Sequence, residues 1–280
     1  MVKIMTDLSA DITKAQAEEL NIKVLPFYIN YPDESILADL VYTPEMFYEK
    51  FKSTEELPAT SQATPGILED MYREMGKDQP IIHITIPANS SGIVNTALNV
   101  SSRLNEEEGF DITVVDSSMY SLGIGVNVIE AAKMAADGAG KDEIISFLRE
   151  RFEKDRVYFI VDDLKYLQKG GRIKATTMVV SKVLDIKPIL WSNDGMVEAF
   201  AKVKGLKKAI SKMVEIVTEK MEDIENGTVY VLNADAADKA ELTEELLKKA
   251  GVKNIVHGKV GPIITCHAGV GVFGIYFRHK

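Results

Sequence analysis

Over the first half of the chain, short runs rich in Val, Ile and Thr alternate with amphipathic stretches, and this alternation narrows the possible folds more than any other feature. Val2 to Met5, Ile22 to Ile29, Pro80 to Thr85 and Asp111 to Val115 read as strands. Strands that alternate with helices build a mainly parallel sheet with helices on its faces. The helix starts are marked in the sequence. Thr13-x-x-Gln16 fits a capping box, and Thr43-Pro44 and Thr64-Pro65 each set a cap before a first-turn proline.

A second block opens near Arg156. Val157 to Val161 reads as a strand, Asp162 to Gln168 as a short helix ended by Gly170-Gly171, and Ile186 to Trp191 as a strand. Asn193-Asp194-Gly195 followed by Met196 to Val203 signals a hairpin. Helices are expected over Gly205 to Glu222 and Ala236 to Ala250, with strands at Thr228 to Leu232 and Val272 to Phe277. The expected architecture is α/β with two domains: a mainly parallel α/β/α domain over residues 1–155 and a mixed-sheet α/β domain over residues 156–280.

Composition removes several function classes. The chain has 280 residues, with 33 Lys and Arg against 42 Asp and Glu, a net charge of −9. An acidic chain lacks the cationic footprint of a nucleic-acid binder. No apolar run approaches the roughly 18 residues of a membrane span. Asp7 and Asp11 stand where a signal peptide would need its apolar run, so a cytoplasmic protein is expected. The single cysteine, Cys266, and the histidines His83, His257, His267 and His279 form no metal-binding spacing.

Hydroxyls gather at the expected strand-to-helix turns: Thr6 and Ser9, Thr60 and Ser61, Ser90 and Ser91, Ser117 and Ser118. In an open parallel sheet such turns meet beyond the carboxyl ends of the strands, where unpaired helix N–H groups suit a carboxylate or phosphate. One such hydroxyl alone is usually a helix cap; four clusters on one edge point to a site. Near the C-terminus, Gly261 to Gly271 reads as a glycine-dense loop carrying His267, an imidazole able to donate a hydrogen bond or hold a charge. Gly269-x-Gly271-x-x-Gly274 has the dinucleotide-fingerprint spacing but is followed by six residues, too few for the helix it must open. A hydrolase or acyltransferase using Ser91 or Cys266 as nucleophile is the rival reading, and no G-x-S-x-G elbow supports it. Basic side chains collect at Lys169 to Lys174 and at Lys202, Lys204, Lys207 and Lys208, suited to steering an acidic partner.

These residues bring a family into view. Thr6-Asp7-Leu8-Ser9-Ala10-Asp11 resembles the opening T-D-S-[ST]-A-D of the DegV family, the bacterial fatty-acid-binding proteins that include the FakB subunits of fatty acid kinase. Thr60-Ser61-Gln62-Ala63-Thr64-Pro65 resembles T-S-Q-P-S-P, and Asp116-Ser117 with Ser121-Leu122-Gly123-Ile124-Gly125 matches D-S-x-x-x-S-x-G-x-G. Asp162 to Ile173 matches D-D-L-x-Y-L-x-K-G-G-R-I throughout. The resemblance implies one buried long-chain fatty acid, such as a C16 or C18 acid, lying between the domains. Thr60 or Ser61, Ser91 and His267 would hold its carboxylate, with Ser90, Gly92, Ser117 and Gly269 adjacent. An ATP-dependent kinase partner would phosphorylate the bound acid for phospholipid metabolism, Arg172 and Lys204 serving the productive complex. The chain itself would be a carrier without catalytic machinery or cofactor, monomeric, and in transient contact with a membrane surface. Departures from the pattern fall at Pro87 to Val94, where hydroxyls flanking Ser91 are lost, at Thr265 to Gly271 around His267, and at Lys204, where an arginine is common. Burying about 14 methylenes at ~0.8 kcal/mol each gives a gross ~11 kcal/mol, so the tail would supply affinity and the head group orientation. Met178-Val179-Val180 is expected to line the tail's tunnel.

Overall fold

The computed structural model describes residues 1–174, 177 and 185–280, and the Met178 to Val180 stretch lies outside them. The chain divides into two compact units, one of residues 1–43 and 58–153, the other of residues 44–57 and 154–280.

In the first unit, β1 (Lys3–Asp7), α1 (Lys14–Glu19), β2 (Lys23–Leu25), β3 (Phe27–Asn30) and β4 (Ser35–Ala38) come first. After α2 (Pro44–Ser53), which belongs to the second unit, follow β5 (Ala59–Gln62), α3 (Pro65–Met75), β6 (Ile81–Thr85), α4 (Ile93–Glu108), β7 (Ile112–Asp116), α5 (Leu122–Ala136) and α6 (Lys141–Lys154). A parallel sheet runs in the order β2-β1-β6-β7. All five residues of β6 are buried, as a strand covered on both faces must be, His83 and Thr85 included. Ile22 to Ile29, expected as one strand, is two. Pro26 has no N–H to continue a ladder, and the chain passes there from the parallel sheet into a separate antiparallel sheet, β4-β3-β5. The capping box at Thr13 and Gln16 is formed, and Thr64 caps α3 with Pro65 at its first position.

The second unit continues with β8 (Asp155–Ile160), α7 (Lys165–Gly170), β9 (Ile186–Asn193), β10 (Met196–Lys204), α8 (Leu206–Lys220), β11 (Thr228–Asn233), α9 (Ala237–Lys249), β12 (Asn254–Lys259), α10 (Pro262–Ala268) and β13 (Phe273–Arg278). Its six strands run β10-β9-β8-β13-β11-β12, antiparallel except for the β11–β12 pair, so the sheet is mixed. Asp194 and Gly195 take φ values of 52° and 70°, the two left-handed positions of the hairpin turn. Ile210, Met213, Val214 and Val217 of α8 pack with Val229, Val231, Phe273 and Ile275 of the sheet into one apolar core. Two elements of this unit escaped the sequence reading, as did β4 and β5 of the first. Strand β12 is mostly exposed and weakly patterned, and α10 occupies the segment read as a glycine-dense loop. Its signal was present: Pro262 stands at the first helical position after Gly261.

Candidate ligand site

The carboxyl ends of β1, β6 and β7 lie side by side, and two carboxylates lace them together. Asp7, fully buried at the end of β1, accepts from the backbone N–H of Ser9 at 3.0 Å, from the Ser9 hydroxyl, and from the Ile86 N–H at 2.8 Å. Burial outweighs these bonds and raises the Asp7 pKa above the usual carboxylate range. Asp116, ending β7, accepts from the N–H of Ala88 at 3.0 Å and of Ser118 at 2.8 Å. Next to this edge, Ser121 donates to Asp11 at 2.5 Å. A Cβ on Gly125 would stand 2.2 Å from the Ala10 carbonyl oxygen, so α5 can approach that turn only with glycine there.

The expected hydroxyls have different fates. Thr6 lies inside β1 rather than in a turn, and Thr60 and Ser61 lie within β5. Side chains alternate along a strand, so Thr60 shares a face with Gln62 while Ser61 faces the other way, exposed and accepting from Asn30 Nδ2 at 2.8 Å. The Gln62 amide reaches α4: its Nε2 donates to Thr96 Oγ1 at 2.9 Å and its Oε1 abuts Gly92. The face of β5 that carries Thr60 is thus the one directed at the start of α4, beside Ser91. Helix α4 begins at Gly92 with no side-chain cap. The half-buried Ser91 hydroxyl accepts from the Ile93 N–H at a long 3.3 Å. Ser90 turns inward to donate to the Pro87 carbonyl at 2.9 Å. Ser117 is fully buried and closes its own turn, accepting from the Met119 N–H at 3.2 Å.

In the second unit, His267 lies in the last turn of α10, half-buried, against the end of α7. A Cβ on Gly170 would fall 2.5 Å from His267 Nδ1. Burial pulls the His267 pKa down to about 4, and the nearby Arg172 guanidinium adds to the fall. At neutral pH the imidazole is therefore uncharged, a hydrogen-bonding group rather than a fixed cation. Neighbouring Cys266 is buried and its thiol is pushed up to about 12, mainly by burial, which removes the thiolate a cysteine nucleophile needs. Arg172 donates to the Gly170 carbonyl. Ile173 bridges to Val197, so the segment after α7 lies along the start of β10, whereas Lys204 is exposed at that strand's far end. Among the described residues, no group of three His, Cys, Asp or Glu side chains is placed to hold a metal ion. No described helix is long and apolar enough to cross a membrane.

A family model described as "Uncharacterised protein, DegV family" matches residues 1–280. The chain belongs to the DegV family. A DegV domain-containing protein of Clostridium perfringens is 32% identical over 98% of this chain and 96% of its own length, and Protein DegV of Bacillus subtilis is 31% identical over 100% and 99%. Among solved structures, DegV of Bacillus subtilis, named as a fatty acid binding protein, superposes with a TM-score of 0.88 at 30% identity, covering 100% of this chain and 99% of that one. A DegV family protein from Thermus thermophilus, whose structure is titled for fatty acid binding, gives 0.88 at 26% identity with the same coverage.

The longest DegV motif in this chain, Asp162 to Ile173, has packing reasons for most of its letters. Asp163 accepts from the Lys165 N–H at 2.9 Å just ahead of α7, and Gly171 ends that helix in the left-handed region at φ 71°. The Tyr166 ring packs at a tilt against Phe51 of α2, with centroids 5.6 Å apart. A Cβ on Gly269 would lie 2.4 Å from the Tyr166 ring, and one on Gly271 would lie 2.1 Å from Asp162 Oδ2. Asp162 is itself held by Lys239 at 2.6 Å. Three glycines from two distant segments thus let α7 and the α10–β13 turn interlock around His267. Gln62 is the polar residue that the sequence reading passed over; its signal was its position two residues after Thr60 in a strand.

Proposed function

We propose that this DegV protein binds one long-chain fatty acid and presents its carboxylate to an ATP-dependent kinase subunit. There the γ-phosphoryl group of ATP would pass to a carboxylate oxygen, leaving acyl phosphate and ADP. The observation that carries the reading is likeness over the whole chain, at 26–30% identity and a TM-score of 0.88, to DegV proteins named for fatty acid binding. The residues assigned to the carboxylate are Thr60, Ser91 and His267. The alternation of β5 and the bond from Asn30 to Ser61 favour Thr60 over Ser61. The place of Ser91 at the start of α4, where the cap residue Gly92 has no side chain, supports it, because a buried carboxylate needs several donors converging on it. A neutral His267 supplies one N–H without requiring a buried cation. Arg172 and Lys204 are assigned to docking the kinase, in a protein that works in the cytoplasm as a monomer and touches membranes only transiently. The protonated thiol of Cys266 and the absence of an elbow motif around Ser91 speak against a hydrolase.

Native mass spectrometry of the protein as purified, followed by organic extraction, tests the reading. A mass excess of one fatty acid, reduced in Ser91→Ala and Thr60→Val, is the expected result. A protein that is empty and takes up no added C14 to C18 acid would overturn it. Formation of acyl phosphate in the presence of a kinase subunit and ATP, lost in Arg172→Ala, tests the partner.

A further inference from the structure

Gln62 holds a buried amide oxygen with no hydrogen-bond partner, while the other end of the same amide is anchored to Thr96 Oγ1 at 2.9 Å. A buried amide atom left unpaired is costly, so one beside a candidate ligand site calls for an explanation. The bare end abuts Gly92, where a Cβ would come within 3.1 Å of Oε1, and Gly92 directly follows Ser91. Thr60 lies on the same face of the same strand. A threonine hydroxyl can either accept or donate. A half-turn of the amide therefore keeps the Thr96 bond, now from the hydroxyl to Oε1, and turns the NH2 group towards the place beside Gly92.

We infer that Gln62 is a further specificity-determining residue of the fatty-acid site, its side-chain amide turning to donate to the ligand carboxylate while Thr96 holds its other end. The inference rests on the fatty-acid reading above. It explains why the amide is anchored at one end only: the bare end is completed by the ligand. It also gives Gly92 a role, since any side chain there would press on the amide.

The test measures binding of hexadecanoic acid and of hexadecanol, by native mass spectrometry at pH 7.5, to the wild type and to Gln62→Glu. The variant keeps the shape of the side chain and replaces a donor with a negative charge. Acid binding is expected to weaken about tenfold or more, while hexadecanol binding changes by less than about threefold. Equal weakening of both ligands would mean a structural role only, and unchanged acid binding would mean no role; either overturns the inference. If Gln62→Glu does not fold, Gln62→Leu carries the same expectation and the same refutations. A wild type that binds neither ligand refutes the fatty-acid reading itself, whereas a wild type that binds the acid beside an unaffected variant refutes only the role of Gln62.

Discussion

The first unit leaves polar atoms uncommitted around the start of α4, whereas the second closes the surroundings of His267 by fitting glycines against side chains. At β5 and α4, Gln62 Oε1 is buried without a partner, α4 has no side-chain cap, and Ser91 makes one long hydrogen bond. At α7 and α10, Gly170, Gly269 and Gly271 stand where any Cβ would strike His267, Tyr166 or Asp162. The two regions teach that motif length and ligand contact are different things. The twelve-residue match in the second unit is mostly explained by close packing, while the short Thr60-Ser61-Gln62 segment holds the Gln62 Oε1 that has no partner.

The largest expected effects probe the packed side of this comparison. Gly269→Ala adds a methyl against an aromatic ring that is itself packed against Phe51, at a residue with φ 83°, and should cost about 3 kcal/mol of stability in urea unfolding. Gly125→Ala, whose methyl would meet a backbone oxygen instead of a side chain, should cost at least as much. A loss below about 0.5 kcal/mol in either would show that the close approach is relaxed in solution.

Acid should weaken both units through their buried imidazoles. His83 is fully buried with its pKa lowered to about 3, and His267 is lowered to about 4, both by burial first. Unfolded histidine takes up a proton near pH 6.5, while these two stay neutral in the fold until well below that. More protons are then bound by the unfolded chain, so stability is complete above about pH 6.5 and falls from there towards pH 4. Urea midpoints at pH 7.5 and 5.5 check the sign, and His83→Asn should remove the larger share of the drop. The buried Asp7 carboxyl, with its raised pKa, acts in the opposite direction, so the histidine contribution is read from wild type against His83→Asn; an acid loss no smaller in the variant would contradict the assignment.

A smaller effect separates the two β5 hydroxyls. Thr60→Val should weaken fatty-acid binding about tenfold, as loss of one hydrogen bond to a charged group predicts, and Ser61→Ala by less than about twofold. Titration calorimetry with a C16 acid decides between them, and the reverse ranking would place the ligand on the other face of β5. The smallest signal is expected at Cys266. With its thiol pushed up to about 12 in a buried position, it should resist iodoacetamide at pH 8 for as long as the protein stays folded, and react once unfolded. Rapid labelling of the native protein would show that the α10 region opens.

The sequence by itself determined the kind of fold and much of its punctuation. Alternating β-branched and amphipathic runs specify α/β, since each element must bury one apolar face. Thr13 with Gln16, Thr64 with Pro65, and Asp194 with Gly195 act through neighbours a few residues away, so their helix starts and turn could be read directly. Tertiary structure alone decided what depends on long-range approach. Pro26 marks a break, but only the pairing of β3 with β5 shows that a second sheet begins there. Which face of β5 looks towards α4 follows from the Gln62–Thr96 bond, across 34 residues of chain. That Gly170 is shaped by His267, and Gly269 by Tyr166, follows from contacts between segments about a hundred residues apart. Local propensity acts over one turn of chain, whereas close packing and the pairing of polar groups are settled only when distant segments meet.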